Sequence, residues 1–584
     1  MAPPLIHRVA ALVAGFIAVI TATRPGPAPL QPPPHRVAEI PADIEIRLER
    51  WLRMAAPFGM TGAVATLRDT SLTLAAGFGP LRPDGGAIGP DTPFLLASLS
   101  KQFTATAILR SAADGHLALS DSLAKFFPDA PAPQRNITIE QLLTHTSGMI
   151  YLEPRMFDPA PDRNALFHEL LSLPLQAAPG GRFSYSNPGY ALLAGVLERS
   201  EQTTFEQYLT TRLFAPAGMR ATTFLGRPVT DAPHGVQLGV DQGPMSDIPG
   251  ADRAVGNGSV ISTVRDLARW EVALRTRRIL DSTWTEALFA PRVPATGGAR
   301  YAFGWNILPT PRGTTLIFHA GDLGPFNTEF RRYVDDKFTL IWLSNARLAS
   351  GGTREVVTRV VANLLNGAPV VDPRDIAPRD VADERRIRGH YLLAGGDTIV
   401  VSATASGLTI GATGSIALRA LAGGAVDTAA TSRTIADALM AMQQGDASRL
   451  RDQLHPSLPV TGAIEGTRQL LTALADSFGG PLRVEPLGGI TGTPGRAMAF
   501  VRIRGLRGAV VAGFGLAGGG RILTFADPAT VAALTPLKRS AAGASQYVAF
   551  DPATMRTTRI TFTSNALSIT VDSGTAVVAT RHAR

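Results

Sequence analysis

Apolar positions recur at helical spacing over three stretches of the chain, from about Ser98 to Ala113, from Tyr190 to Arg199 and from Thr263 to Arg275. Each is predicted as an amphipathic helix. The third opens on Thr263 and carries Asp266 three residues later, which resembles a capping pair and marks its start. Strand-like runs are interspersed with them, including Ala63–Leu67, Thr314–Phe318 and Phe338–Leu343, and a helix over Arg354–Leu365 closes the region. Residues 43–367 therefore read as one mixed domain. Residues 368–386 are proline-punctuated and charged, and read as a linker.

Beyond the linker the pattern changes. Residues 390–425 and 545–582 are short β-prone runs separated by Gly, Ser and Asp. Between them come helical segments over Thr434–Met442, Asp446–Leu454 and Thr467–Ser477, then strand-like runs at Ala497–Val501, Ala509–Phe514 and Arg521–Phe525. Helices followed by strands form an α+β unit. The expected tail is a β domain over 387–428 and 540–584, interrupted by an α+β domain over 429–539. At the other end, the apolar stretch Val9–Ala22 is shorter than the roughly 20 residues of a comfortable membrane span. Residues 1–23 read as a signal peptide or an N-terminal anchor, and the proline-rich residues 24–42 as a stiff spacer. The remainder is expected to be periplasmic or secreted, or held at the inner membrane by the uncleaved segment.

Composition narrows the chemistry. The 584 residues are 45% hydrophobic and 18% charged, which suits globular domains rather than disorder. Cysteine is absent, so disulfides, a thiol nucleophile and zinc–thiolate sites are excluded. Of 56 basic residues only four are lysines, Lys101, Lys125, Lys337 and Lys538. The net charge of +9 is spread along the chain with no basic run and no interleaved aromatics, so it reads as a solvated surface rather than a nucleic-acid site. The ten histidines lack metal-ligand spacing, and neither a metal nor a cofactor is expected.

Serine three residues before lysine puts both side chains on one helical face, where an amine can serve as base to the hydroxyl. The sequence contains this spacing twice, at Ser98–Lys101 and Ser122–Lys125. Ser98 follows the strand-like run Thr92–Leu96 and opens a helix, where free N–H groups and the dipole favour a nucleophile. Ser122 follows the turn Ala113-Asp114-Gly115 and reads as a surface turn. A second element is Tyr185-Ser186-Asn187. In an extended segment residues two apart point the same way, so Tyr185 could relay a proton and Asn187 orient a substrate amide. A third is His319-Ala320-Gly321-Asp322, where Gly321 would admit a substrate backbone and the Asp322 N–H could pair with that of Ser98 as an oxyanion hole. Taken singly, the tyrosine and asparagine read as a core residue beside a turn residue, and the histidine as structural.

Their order and surroundings point further. FLLASLSKQFTATAIL, LLTHTSGM, RFSYSNPGYALLAGVLE, GNGSVISTVRDLARW and FGWN…FHAGDLGPFN follow one another across about 43–367. The chain thereby resembles the serine β-lactamase and penicillin-binding-protein-like family, in its class C and D-peptidase branch. The resemblance implies an α/β (α+β) catalytic domain, with an antiparallel sheet flanked by helices and a helical subdomain. It implies an acyl-enzyme formed on Ser98, with Lys101 and Tyr185 sharing base and acid duties. Asn187, His319, Gly321 and Asp322 would bind substrate, and His145 of LLTHTSG reads as structural. The substrate would be a small molecule or peptide, whether an ester, a D-peptide or a β-lactam. Many β-lactamases of this family carry lysine where this chain has His319, a residue found instead in peptidase and esterase-like members. The tail resembles a lipocalin-like barrel carrying a SnoaL-like cone domain. The alternative is a non-catalytic penicillin-binding-like receptor or scaffold whose tail binds a partner.

Overall fold

The computed structural model describes residues 39–582, apart from 83, 152–161, 238–239, 249–250, 349–350, 374, 395, 405–406, 413–416, 418–419, 422–428, 456–459, 492–496, 508, 517–519, 527–534, 542, 544, 553–554, 573 and 575. The expected signal peptide or anchor, and most of the proline-rich spacer, lie outside the described residues. Among the described residues, no helix is long and apolar enough to cross a membrane.

An eight-stranded antiparallel sheet organises the first part of the chain. Its order is Val293–Pro294, Arg300–Tyr301, Asn306–Pro309, Thr315–Leu323, Phe326–Tyr333, Phe338–Ser344, Gly62–Arg68 and Ser71–Phe78. Both faces are covered, and strands Phe338–Ser344 and Gly62–Arg68 are buried almost throughout. Successive side chains enter opposite cores. Ala63, Ala65 and Leu67 face the helical subdomain, whereas Val64 joins Phe338, Leu340 and Trp342 on the outer face. There they meet the helices Ile44–Ala55 and Thr353–Leu365 through Leu48, Trp51, Leu52, Val357 and Val360. The buried Trp342 indole donates to Thr353 Oγ1 at 2.9 Å, so its polar edge is satisfied where the ring is desolvated.

The inner face packs against helices Lys101–Ala113, Asn187–Glu201 and Val264–Arg275. The Thr263 hydroxyl accepts from the Asp266 N–H at 3.1 Å, as its sequence position implies. Ser98 is the exception to its expected helix. It lies in the 3-10 turn Ala97–Ser100, and the α-helix begins only at Lys101.

The C-terminal region contains a closed barrel of eight strands. It runs Gly389–Leu393, Thr398–Thr404 and Gly407–Ala412, then Thr535–Arg539, Gln546–Asp551, Arg556–Phe562, Ala566–Val571 and Val577–Arg581. Pairing of the first and last strands closes it and leaves no free edge. Between its third and fourth strands come the helices Ala429–Gln443, Ser448–Gln453 and Val460–Phe478 and a four-stranded sheet. The first strand of that sheet, Arg483–Thr491, escapes the pattern reading because Pro486, Gly488 and Gly489 interrupt it. They coincide with a register shift between Pro486 and Gly488. The expected linker also differs, since its end forms the helix Val381–Ile387, capped by the Asp380 carboxylate.

One barrel strand joins two cores. Tyr547 and Ala549 point into the barrel, while Val548 and Phe550 pack on the outer face of the large sheet. Phe550 meets Phe58 edge-on, with centroids 5.8 Å apart.

Candidate active site

Strand Phe94–Leu95 and the 3-10 turn after it are joined by a strained residue, Ala97, at φ +48°. Left-handed backbone costs an L-residue roughly 1–2 kcal/mol. Four bonds hold it. Leu96 N–H donates to Val260 O at 2.9 Å, and Leu96 O accepts from Thr328 Oγ1 at 2.9 Å and from Leu99 N–H at 3.2 Å. The Val260 N–H donates to Ser100 Oγ at 3.1 Å. The turn that carries Ser98 is thereby fixed before any ligand arrives.

Lys101 is 0% exposed. Its Nζ reaches Ser98 Oγ at 3.0 Å, Asn187 Oδ1 at 2.6 Å and the Asn257 carbonyl at 2.9 Å. It also lies 4.9 and 5.6 Å from the ring centroids of Tyr185 and Tyr190. All three oxygens are neutral, so none repays the loss of water around an ammonium. Burial accordingly holds Lys101 well below its ordinary pKa. One turn along, Thr104 Oγ1 donates to Gly256 O at 2.6 Å, so the same helix face anchors the GNGSV loop twice. The Asn257 carbonyl is a contact that side-chain motifs could not signal.

Tyr185 and Asn187 do meet at Lys101, and the backbone of Ser186 between them is extended, at φ −138° and ψ 118°. Ser186 caps the helix Asn187–Glu201, its Oγ accepting the Gly189 N–H at 3.1 Å. Asn187 is the first residue of that helix and Tyr185 belongs to the loop before it. Burial raises the Tyr185 phenol well above its ordinary pKa, and its hydrogen bond with Ser98 opposes this only in part. Tyr151, with its ring centroid 5.8 Å from that of Tyr185, is also pushed up by burial, to about 12.

His319 lies on strand Thr315–Leu323 with its ring centroid 6.3 Å from that of Tyr185. Its Nδ1 is 2.8 Å from Ala320 O and its Nε2 is 3.2 Å from the Tyr301 hydroxyl. Burial, with the nearby Lys101 charge, brings its pKa down to about 3, so the imidazole is neutral at pH 7. Tyr301 was not singled out by sequence, although it opens the segment YAFGWN.

Gly321 serves a purpose other than the expected one. A Cβ there would lie 2.0 Å from Leu96 O, 2.5 Å from Thr328 Oγ1 and 3.1 Å from Leu99 N. What approaches this strand is the protein's own Ser98-bearing turn. The Asp322 carboxylate faces away toward two guanidiniums, Arg347 at 2.7 Å and Arg354. Despite burial, Arg354 is pushed above its ordinary value by Asp322, Glu355 and Glu329. The second serine–lysine pair stands elsewhere, with Lys125 Nζ 2.6 Å from Asp121 Oδ2 and its side chain 51% exposed.

This arrangement has recognisable relatives. The family model described as Beta-lactamase matches residues 58–363. Penicillin-binding protein 4* of Bacillus subtilis is 27% identical over 336 residues, covering 53% of this chain and 74% of that protein. The D-alanyl-D-alanine-carboxypeptidase/endopeptidase AmpH of Escherichia coli is 30% identical over 223 residues, 36% of this chain and 57% of its own length. A D-aminopeptidase of Brucella anthropi is 27% identical over 322 residues, 52% of this chain and 59% of its length. Among solved structures, an octameric penicillin-binding protein homologue from Pyrococcus abyssi aligns at a TM-score of 0.50 and 18% identity. That alignment covers 91% of this chain and 99% of the other, and speaks for the fold alone.

Proposed function

The chain belongs to the beta-lactamase family, and from that premise we propose that it is an exported serine hydrolase acting through an acyl-enzyme on D-amino-acid peptides, esters or β-lactams. The observation that carries this reading is the buried Lys101 ammonium, 3.0 Å from Ser98 Oγ and bonded to neutral oxygens. A lysine held below its ordinary pKa has its neutral form within reach, and can take the serine proton.

The two candidate proton carriers divide the work. Lys101 is shifted toward its neutral form and Tyr185 toward its protonated form, so Lys101 is the base and Tyr185 the acid. Ser98 Oγ bonds to the substrate carbonyl while its proton passes to Lys101. The bond to the leaving group breaks as Tyr185 protonates it. Water then attacks the acyl carbon and gives its proton to the Tyr185 phenolate, the bond to Ser98 Oγ breaks as that oxygen takes back the proton held by Lys101, and the acid product departs. The N–H groups of Ser98 and Asp322 hold the oxyanion, and Asn187 orients the substrate while steadying Lys101.

His319 bears on the substrate. A neutral imidazole offers no positive charge to a substrate carboxylate, on a β-lactam or at a peptide C-terminus, which favours esters and peptides with no free carboxylate at that point. The D-aminopeptidase relative supports the same preference. In the same reading the catalytic domain spans 43–367, and the tail is a lipocalin-like barrel split by a SnoaL-like unit.

A substrate panel with a fluorescent acylating probe tests the reading. Wild type is expected to label and to hydrolyse at least one ester or D-peptide, and Ser98→Ala to do neither. Absence of labelling and turnover across all three classes would instead make the chain a penicillin-binding-like receptor.

A further inference from the structure

His145 is the least expected residue near the site. It is fully buried, yet its backbone sits at φ +56°. Such strain persists where the surroundings over-determine it. Here the surroundings are the loop that carries Tyr185. The Ser184 N–H donates to the His145 carbonyl at 2.7 Å, and the Ser186 N–H donates to its Nδ1 at 3.0 Å. The imidazole stacks on the Tyr185 ring, with centroids 4.2 Å apart and planes 29° from parallel. Its remaining nitrogen, Nε2, is 3.2 Å from the Tyr301 hydroxyl.

The same hydroxyl reaches His319, so the contacts form a chain: Ser186 N, His145, Tyr301, His319, Ala320 O. Its direction follows from its ends. Ser186 N–H can only donate, so His145 Nδ1 accepts and Nε2 carries the proton. Ala320 O can only accept, so His319 Nδ1 carries the proton and Nε2 accepts. Tyr301 then accepts from His145 and donates to His319. One proton lies between each pair, and two neutral imidazoles in opposite tautomers complete it. The Tyr190 hydroxyl also meets that of Tyr301; it donates its own proton to Leu143 O at 2.8 Å, so it offers Tyr301 only a second acceptor beside His319 Nε2.

We propose that His145 is a positioning residue that clamps the Tyr185-Ser186-Asn187 loop and, through the Tyr301 hydroxyl, fixes the ring of His319, so that the two walls flanking Ser98 move as one piece. The chain commits both nitrogens of His319 within the protein, so this wall presents carbon rather than an N–H donor to substrate. The proposal rests on Ser98 as nucleophile only for its kinetic consequence; the tautomers stand independently.

Two variants test it. Tyr301→Phe removes one oxygen from a near-isosteric ring. His145→Asn keeps an acceptor for the Ser186 N–H and tolerates positive φ, while losing the Nε2 proton. In nitrogen-15 spectra of histidine-labelled protein, assigned among the ten histidines by single His→Gln substitutions, His145 should show the Nε2–H tautomer and His319 the Nδ1–H tautomer at pH 7, and Tyr301→Phe should lose that complementarity. With an ester substrate, each variant should lose about 10- to 100-fold in kcat, the range seen when an outer-shell partner is removed. KM should change little. His145→Ala should be worse than His145→Asn. The double variant should lose no more than the worse single one, since both break one chain. Unchanged imidazole spectra in Tyr301→Phe, kcat at the wild-type level, or fully additive losses would overturn the proposal. If the spectra behave as expected while Ser98→Ala retains full activity, the chain of bonds stands and the assignment of the nucleophile falls.

Discussion

Two turns of this chain carry serine three residues before lysine, and only spacing unites them. Lys101 is fully buried, bonded to Ser98 Oγ and two neutral oxygens, with aromatic rings beside it. Lys125 is half-exposed beside the Asp121 carboxylate, and Ser122 precedes the four-residue helix Leu123–Phe126. Spacing sets how close the two side chains can come. The environment sets whether the amine can give up its proton. Lys125 lies beside a carboxylate and is half-exposed, whereas burial among neutral oxygens disfavours the ammonium of Lys101.

The sharpest way to break the comparison is to fix the charge at both sites. Lys101→Arg keeps a cation that does not deprotonate, and should lower kcat/KM about 10³-fold, within the usual range for loss of general-base catalysis. Lys125→Arg should leave turnover unchanged. The pH profile sharpens the point. A base must be neutral, so wild-type kcat/KM should rise with pH and level off above the folded pKa of Lys101. That limb should lie well below the ordinary lysine value of 10.5. A rising limb that persists unchanged in Lys101→Arg would assign the base elsewhere.

How much of this was legible beforehand follows the same division. Local pattern carried the helices, their caps and the central strands, because apolar periodicity and the Thr263–Asp266 pair act over a few residues. Motif order brought Ser98, Lys101, Tyr185 and Asn187 together on one site. What sequence could not supply was contact between backbone and distant side chain. The Asn257 carbonyl acts through an atom every residue possesses, and Tyr301 joins two histidines 156 and 18 positions away. Ser186 keeps the expected extended backbone and also caps the following helix, a second role that the pattern alone did not signal. In the tail, Pro486 and the glycines after it disguised a strand that tolerates them at a bulge.

Glycines beside the two turns give the next largest contrast. Gly321→Ala drives a Cβ against Leu96 O and Thr328 Oγ1, and must push the third-motif strand away from the Ser98 turn. Overpacking of this kind costs about 1–3 kcal/mol, and here it also displaces the groups assigned to the oxyanion. Both melting temperature and kcat should fall. Gly115, near the second turn, has φ +82° and nothing within 4 Å of its would-be Cβ. Gly115→Ala should cost about 1 kcal/mol of backbone strain and leave kcat untouched. Calorimetry beside ester kinetics separates the two, and equal kcat for Gly321→Ala and wild type would detach that strand from the chemistry.

The smallest effect is expected where the second lysine is removed outright. Lys125→Ala deletes an ion pair whose lysine is 51% exposed and whose aspartate precedes the helix, and exposed pairs contribute about 0.2–1 kcal/mol. Asp121 keeps its other anchor, the Ala118 N–H at 2.7 Å, so its carboxylate is not stranded. Burial opposes the charge on Asp121, but Lys125, with that N–H, draws its pKa below the ordinary value. The variant should therefore raise the Asp121 pKa without restoring it fully. A carboxyl with a depressed folded pKa stabilises above its unfolded pKa and loses that contribution as pH falls through the folded one. The difference between Lys125→Ala and wild type should thus be greatest near neutral pH in low salt, and vanish once Asp121 is protonated or the pair is screened. Denaturant titrations at two pH values and two salt concentrations measure it. A loss of several kcal/mol, or any loss of turnover, would mean that the second serine–lysine turn is coupled to the first.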